Sequence, residues 1–203
     1  MKLYNMELSG NCYKVRLLCA LLGLTYESTP VDLLRGEHKT AAFLQLNPRG
    51  QLPVLDDEGT IIWDSSAILL YLARRYGGER WLPLDAKAMA EVMQWLSLSQ
   101  NEILYGLARA RAVKKLGRPW DIEQCQMLGK QGLTVLEQRL SGHFWLAGEQ
   151  ATIADIACYP YAALAPEGGV DLEPYPSVRA WLKRVADLPG YIAMPGIGEQ
   201  ACG

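Results

Sequence analysis

Residues 47–76, NPRGQLPVLDDEGTIIWDSSAILLYLARRY, constrain the fold more than any other part of the chain. Residues 51–55 form a short apolar strand interrupted by Pro53, which has no N–H to give a ladder, so the strand belongs at an edge or a bulge. Asp57-Glu58-Gly59-Thr60 is a hairpin turn signal, with glycine supplying positive φ. Residues 60–63 form the returning strand. Asp64-Ser65-Ser66 supplies N-cap candidates for a helix over about residues 67–76, on which Ile68, Leu69 and Leu72 fall at helical spacing.

This order sets two polar features side by side. Leu52 precedes a proline and is biased to extended backbone. A cis Leu52–Pro53 bond would leave the Leu52 N–H and C=O free at a sheet edge. The Ser65 N–H sits at a helix start, where four donors lack partners and the dipole favours an anion. An extended peptide paired with Leu52 and carrying a carboxylate onto Ser65 fits both features, so the stretch describes a site for a small acidic peptide. Capping alone is the plainer account of Asp64 and Ser65.

NPRGQLPVL, the DSS turn and AILLYLARRY together resemble the glutathione transferase superfamily, its theta-like and bacterial members above all, and the resemblance extends over nearly the whole chain. It implies a cis Pro53, a Leu52 backbone that pairs with the cysteine of glutathione, and an acid–serine pair, here Asp64-Ser65, that holds the γ-glutamyl end. Aspartate replaces the family's glutamate and is one methylene shorter. RGEH resembles the segment whose histidine meets the glycyl carboxylate, which implies that role for His38, with Lys39 adjacent and Gln51 facing the same end. A solvated loop histidine is the competing account of His38.

Residues 1–6 read as a first strand and 7–11 as a polar turn. A helix begins near Cys12, with Val15, Leu18 and Leu22 on one face and Gly23 as its stop. Residues 25–31 read as a second strand and 32–43 as a charged, weakly helical connection. The order βαβ, connection, ββα suits a small α/β domain; that it is thioredoxin-like follows from the resemblance, since the pattern also allows other small sheets. Residues 77–86 form a Gly/Pro linker between a domain over 1–76 and an all-helical domain over 87–203. In the second domain, Met89 to Leu107 and Cys125 to Leu140 mark long amphipathic helices. Thr152-Ile153-Ala154-Asp155 has the form of a capping box, a folding signal. The helix behind it carries Pro160, which predicts a kink. TIADIA and PSVRAWLKRVADLPGY resemble the helical half of the same superfamily. Residues 194–203 are Gly-rich and are expected to be poorly ordered.

At 203 residues, with 50% hydrophobic and 21% charged, the chain affords an ordinary globular core. A formal charge of −2 without a basic run excludes nucleic acid and anionic membrane as obligatory partners. No apolar run is long enough to predict a transmembrane helix, and a strand-like start leaves no room for a signal peptide. Five scattered cysteines read as thiols in a reducing cytoplasm. Two histidines, His38 and His143, with no zinc-ligand spacing predict no metal.

The chemistry implied by the resemblance is to hold the sulfur of glutathione as thiolate. A free thiol has a pKa of ~8.5, and lowering it by ~2 needs roughly 2.7 kcal/mol. A charge-assisted hydrogen bond supplies ~1.5–3 kcal/mol and a helix N-terminus roughly 0.3–1 kcal/mol more. One hydroxyl at the start of the first helix therefore suffices, and Ser9 falls there, on the catalytic serine of theta-like members. A plain N-cap serine is its competing account, and Asn11 competes as the donor. Ser9-Gly10-Asn11-Cys12 has Cys-x-x-Cys spacing with the first sulfur replaced, so dithiol exchange is not expected, and Cys12 reads as a buried helix cysteine. The second substrate is expected between the domains, where Tyr105, Arg109 and Trp120 are candidates, as are Arg111, Met6 and Glu7. The reading is a cytoplasmic, homodimeric glutathione transferase acting on small electrophiles. The alternatives are a glutathione-dependent disulfide or peroxide reductase, or a non-catalytic glutathione-binding scaffold.

Overall fold

The computed structural model describes residues 1–197. Strand β1 (Lys2–Asn5) lies inside a four-stranded sheet of order β2-β1-β3-β4. β2 (Glu27–Pro30) runs parallel to it; β3 (Val54–Asp57) and β4 (Thr60–Trp63) are antiparallel neighbours. Pro30 ends the edge strand opposite Asn5, where its missing N–H costs little. The β3–β4 hairpin turns on Glu58 and Gly59, both at positive φ (53° and 87°), as a tight two-residue turn requires. β3 begins at Val54, later than residue 51, because the Leu52–Pro53 bond is cis and the backbone before it leaves the ladder.

Helix α1 (Gly10–Leu21) starts earlier than Cys12 because the Ser9 Oγ accepts the Cys12 N–H at 3.3 Å and caps it. It ends as expected at Gly23, with the Gly23 N–H on Ala20 O and the Leu24 N–H on Cys19 O. The connection to β3 contains a short 3-10 turn (Glu37–Lys39) and helix α2 (Ala41–Leu46). Helix α3 (Ser65–Leu72) runs into a π-helical turn (Ala73–Gly77).

The segment after it is no slack linker: Trp81 and Leu82 are buried in the core, and Trp81 O accepts the Ile153 N–H. Helix α4 (Ala86–Leu98), a π-helical stretch (Ser99–Ala108) and helix α5 (Arg109–Leu116) follow without a break, where the sequence predicts one amphipathic helix. Helix α6 (Ile122–Leu140) lies against the π stretch at Gly106 and Gly129, where a side chain on either glycine would strike the other helix.

Helix α7 (Ile153–Ala163) is fully buried apart from its last turn and contains Pro160. Its capping box forms as predicted, and buried Asp155 also accepts the Leu146 N–H and the Trp181 Nε1–H of helix α8 (Pro176–Ala186). One continuous core joins both halves: Leu3, Leu18, Leu55 and Leu69 of the α/β part with Tyr159, Trp181 and Val185 of the helical part. Within the expected loose tail, Met194 and Ile197 are buried, a correction owed to apolar contacts that the glycine count hides. The rest of that tail, residues 198–203, lies outside the described residues.

Candidate functional site

A cleft of about 480 Å³ opens where β1, α1, the cis-proline segment and the start of α3 face the π stretch and α5. Its wall is built first by Asn47, almost fully buried at the end of α2. The Asn47 Nδ2 donates to Gln51 O at 2.8 Å and its Oδ1 accepts the Arg49 N–H at 3.0 Å. Its C=O accepts the Gly50 N–H, and the Lys39 ammonium ties the Arg49 and Gly50 carbonyls. These bonds fix the NPRGQ loop and present Leu52, whose N–H and C=O have no backbone partner among the described residues.

Asp64 stands at φ 79°, ψ 127°, a conformation L side chains rarely adopt. The strained residue turns the chain from β4 into α3. Its Oδ1 accepts the Ser66 and Ala67 N–H groups, and its Oδ2 lies 3.8 Å from Arg49. Asp64 is thus a helix cap with one oxygen engaged there and the other beside a cation. Next to it, the Ser65 Oγ is buried without a partner. Gln100, from the π stretch, donates to Ser66 Oγ at 2.7 Å and closes this end from the opposite wall.

Ser9 is half-buried at the head of α1. Its Oγ accepts from the Cys12 N–H and keeps a proton of its own to donate, and Ser9 lines the cleft. The Asn11 N–H donates to the Tyr161 hydroxyl of α7 at 3.2 Å, and the Asn11 Oδ1 is buried and unpaired. Gly10 makes this contact possible, because a Cβ there would lie 2.6 Å from the Tyr161 ring. Cys12 is fully buried, and burial pushes its thiol pKa up, against the smaller opposing pull of Ser9. Both burial and that shift disfavour a thiolate there, in keeping with its reading as a core cysteine. His38 lines the glycyl end of the expected site with its Nδ1 buried and unpaired. Burial and the cations Lys39 and Arg118 hold its pKa below the ordinary range.

Gln51, Leu52, Pro53, Asp64, Ser65, His38, Ser9 and Asn11 thus line one cleft together with Met6, and Tyr105, Arg109 and Trp120 line it as well. Glu7 and Arg111 are not among the lining residues. The Arg111 guanidinium pairs with Glu167 and donates to Leu8 O, so it braces the rim. The sequence analysis did not single out Tyr161, Gln100 or Trp63: Trp63 ends β4, and only packing of the helical part brings Tyr161 and Gln100 here. Among the described residues no group of three His, Cys, Asp or Glu side chains is placed to hold a metal ion, and no helix is long and apolar enough to cross a membrane.

Comparison with known proteins agrees with this architecture. The family described as Glutathione S-transferase, N-terminal domain, matches residues 3–80, and Glutathione S-transferase, C-terminal domain, matches residues 126–189. The chain is 39% identical over 197 residues to a maleylacetoacetate isomerase of Pseudomonas aeruginosa, spanning 93% of this chain and 90% of that one. It is 31% identical over 195 residues to the disulfide-bond oxidoreductase YfcG of Escherichia coli, spanning 88% and 87%. The solved glutathione S-transferase of Pseudomonas fluorescens superposes with a TM-score of 0.90 at 40% identity, covering 96% of this chain and 98% of that one. A thioredoxin-like sheet domain, a helical second domain and these matches over most of the chain make this protein a member of the glutathione S-transferase family.

Proposed function

We propose that this transferase binds glutathione along the cis-proline edge and that Ser9 holds its sulfur as thiolate for attack on a small electrophile. The observation that carries the reading is the set of buried polar atoms without partners. Asn11 Oδ1, His38 Nδ1 and Ser65 Oγ are three of the five such side-chain atoms among the described residues, and all three line the one cleft. A buried polar atom left unpaired costs ~1–3 kcal/mol, so the cleft is built to be completed by a polar ligand. Glutathione supplies matching groups: a γ-glutamyl carboxylate for Ser65 at the start of α3, a peptide unit for Leu52, and a glycyl carboxylate for His38, Lys39 and Gln51.

The sulfur then lies at the head of α1. There Ser9 is the donor and the Asn11 Oδ1 an acceptor, so Ser9 favours thiolate and Asn11 orients the thiol. The thiolate forms a bond to the electrophilic carbon, and the leaving group departs with its electron pair. We further propose that the protein works as a cytoplasmic homodimer.

The test is a difference-absorbance titration of the glutathione complex. In Ser9→Ala the thiolate transition moves up by about one to two pH units, equivalent to ~1.4–2.7 kcal/mol, while glutathione affinity stays within about threefold. A larger movement in Asn11→Ala than in Ser9→Ala would transfer the role to Asn11.

The relative named a disulfide-bond oxidoreductase favours a second reading, reduction of disulfides at the same site. Because Cys12 is buried and its thiol pKa is raised, such turnover runs through the sulfur of glutathione and survives Cys12→Ala. A panel of electrophiles and disulfides separates the two readings.

A further inference from the structure

The lining of the cleft contains three permanent cations, Lys39, Arg49 and Arg109, against one carboxylate, Asp64. Two of the three are engaged by the protein: Lys39 holds the Arg49 and Gly50 carbonyls, and Arg49 pairs with Asp64. Arg109 differs. Among the described residues its guanidinium has no carboxylate within 4.0 Å and makes no hydrogen bond to another side chain or carbonyl. Its neighbour Arg111, by contrast, is paired with Glu167.

What Arg109 has is aromatic support. Its guanidinium carbon lies 4.2 Å from the centroid of Tyr105 and 4.8 Å from that of Trp120. Tyr105 stands one turn before it on the same helix face, and Trp120 comes from the turn after α5. Two ring faces hold the planar group in place and leave its edge N–H groups unused. A guanidinium fixed in this way has already lost its rotamer freedom and meets a carboxylate fork to fork, the strong geometry for that pair. Ala108 and Ala112 line the cleft beside it and leave room for a ligand.

We infer that Arg109, held between Tyr105 and Trp120, takes the carboxylate of the second substrate, so that the electrophile this enzyme prefers is an organic acid. The inference rests on the proposed glutathione site. There Ser65 and the His38–Lys39–Gln51 end receive both carboxylates of glutathione, which leaves Arg109 for the other reactant.

The test uses one scaffold in two forms, a chlorodinitrobenzoate and its methyl ester, with saturating glutathione. Each turnover forms a C–S bond and breaks the C–Cl bond; chloride leaves with the electron pair and the thiol proton passes to solvent. After division by the uncatalysed rates, kcat/KM of the wild-type protein favours the acid by roughly tenfold or more, and Arg109→Gln lowers that acid-to-ester ratio about ten- to a hundredfold. Calorimetry with the unreactive dinitrobenzoate, in the absence of glutathione, shows the same loss of affinity in the variant.

This arm is independent of the glutathione assignment. Binding of dinitrobenzoate through Arg109 without any conjugation would sink the proposed function and leave the anion site standing. An unchanged ratio with unchanged dinitrobenzoate affinity overturns the proposal. So does an equal loss of glutathione affinity in Arg109→Gln, which would put a glutathione carboxylate on Arg109. Should the variant not fold, the wild-type protein decides alone: equal affinity for the dinitrobenzoate and its methyl ester overturns the proposal.

Discussion

The ammonium of Lys14 is fully buried behind the cleft, donating to Ser99 Oγ at 3.0 Å and lying 5.5 Å from the centre of the Tyr161 ring. Ser99 passes the bond on to Ala157 O, and no carboxylate lies within ion-pair distance of Lys14 among the described residues. Burial lowers its pKa from 10.5 to about 8, against the weaker upward pull of Cys158 and Asp64. The unfolded chain therefore keeps this proton between about pH 8 and 10.5 while the folded chain releases it, so the Lys14 contribution to stability rises with pH through that window. At neutral pH, burying the charge costs of order 3 kcal/mol. Cys158 and Tyr161, both pushed up to about 12 by burial, act in the opposite sense. The comparison to make is thus wild type against Lys14→Met in urea at several pH values. The stability of wild type relative to the variant climbs by up to about 3 kcal/mol between pH 8 and 10.5; a flat difference would show that the ammonium is solvated. Nothing local in the first helix tells that Lys14 is buried, since the groups it meets, Ser99 and Tyr161, come from 85 and 147 residues away. The local placement of Ser9 at a helix head, Leu52 before Pro53 and Ser65 at a helix start was legible because each is fixed by residues within a few positions of itself.

At the scale of elements, capping and turn chemistry read true from sequence. Ser9, Asp64 and Thr152 cap the helices that follow them, and Glu58-Gly59 turns the hairpin. These signals are local, and a local hydrogen bond satisfies them wherever the segment ends up. The π stretch over Ser99–Ala108 was not legible. Its apolar residues repeat closely enough to a regular helix, and the departure is tied to close packing on α6 at Gly106. That departure turns Gln100, Leu104, Tyr105 and Ala108 into the cleft, as π segments at functional sites commonly do. The Thr152–Asp155 box predicts more than a helix start, because Asp155 also holds Leu146 and Trp181. Asp155→Ala leaves the buried N–H groups of Leu146, Thr152 and Trp181 unpaired, at ~1–3 kcal/mol each. A loss of at least about 3 kcal/mol is expected, read as a fall in the urea midpoint at unchanged slope. A loss below about 1 kcal/mol would mean that water replaces the carboxylate.

At the scale of the whole molecule, the two-part architecture followed from the change from mixed to purely helical periodicity after Tyr76. How tightly the parts join did not. The junction at the head of α1 is a ring against a glycine: Tyr161 fills the space that a side chain at position 10 would need, and its hydroxyl takes the Asn11 N–H. Gly10→Ala should cost about 1–3 kcal/mol as an overpacked contact, and Tyr161→Leu should recover part of that in a double-mutant cycle. Additive losses in urea melts would show that the two residues do not press on each other. This contact also limits how such a protein can be recombined. A chimera that keeps the first 76 residues and takes its helices from another chain must bring a hydroxyl-bearing ring to the place of Tyr161. Without one, the loop that carries Ser9 loses a hydrogen bond and gains a void in the same exchange. The two halves are a matched pair, and inheritance can alter one only as far as the other allows.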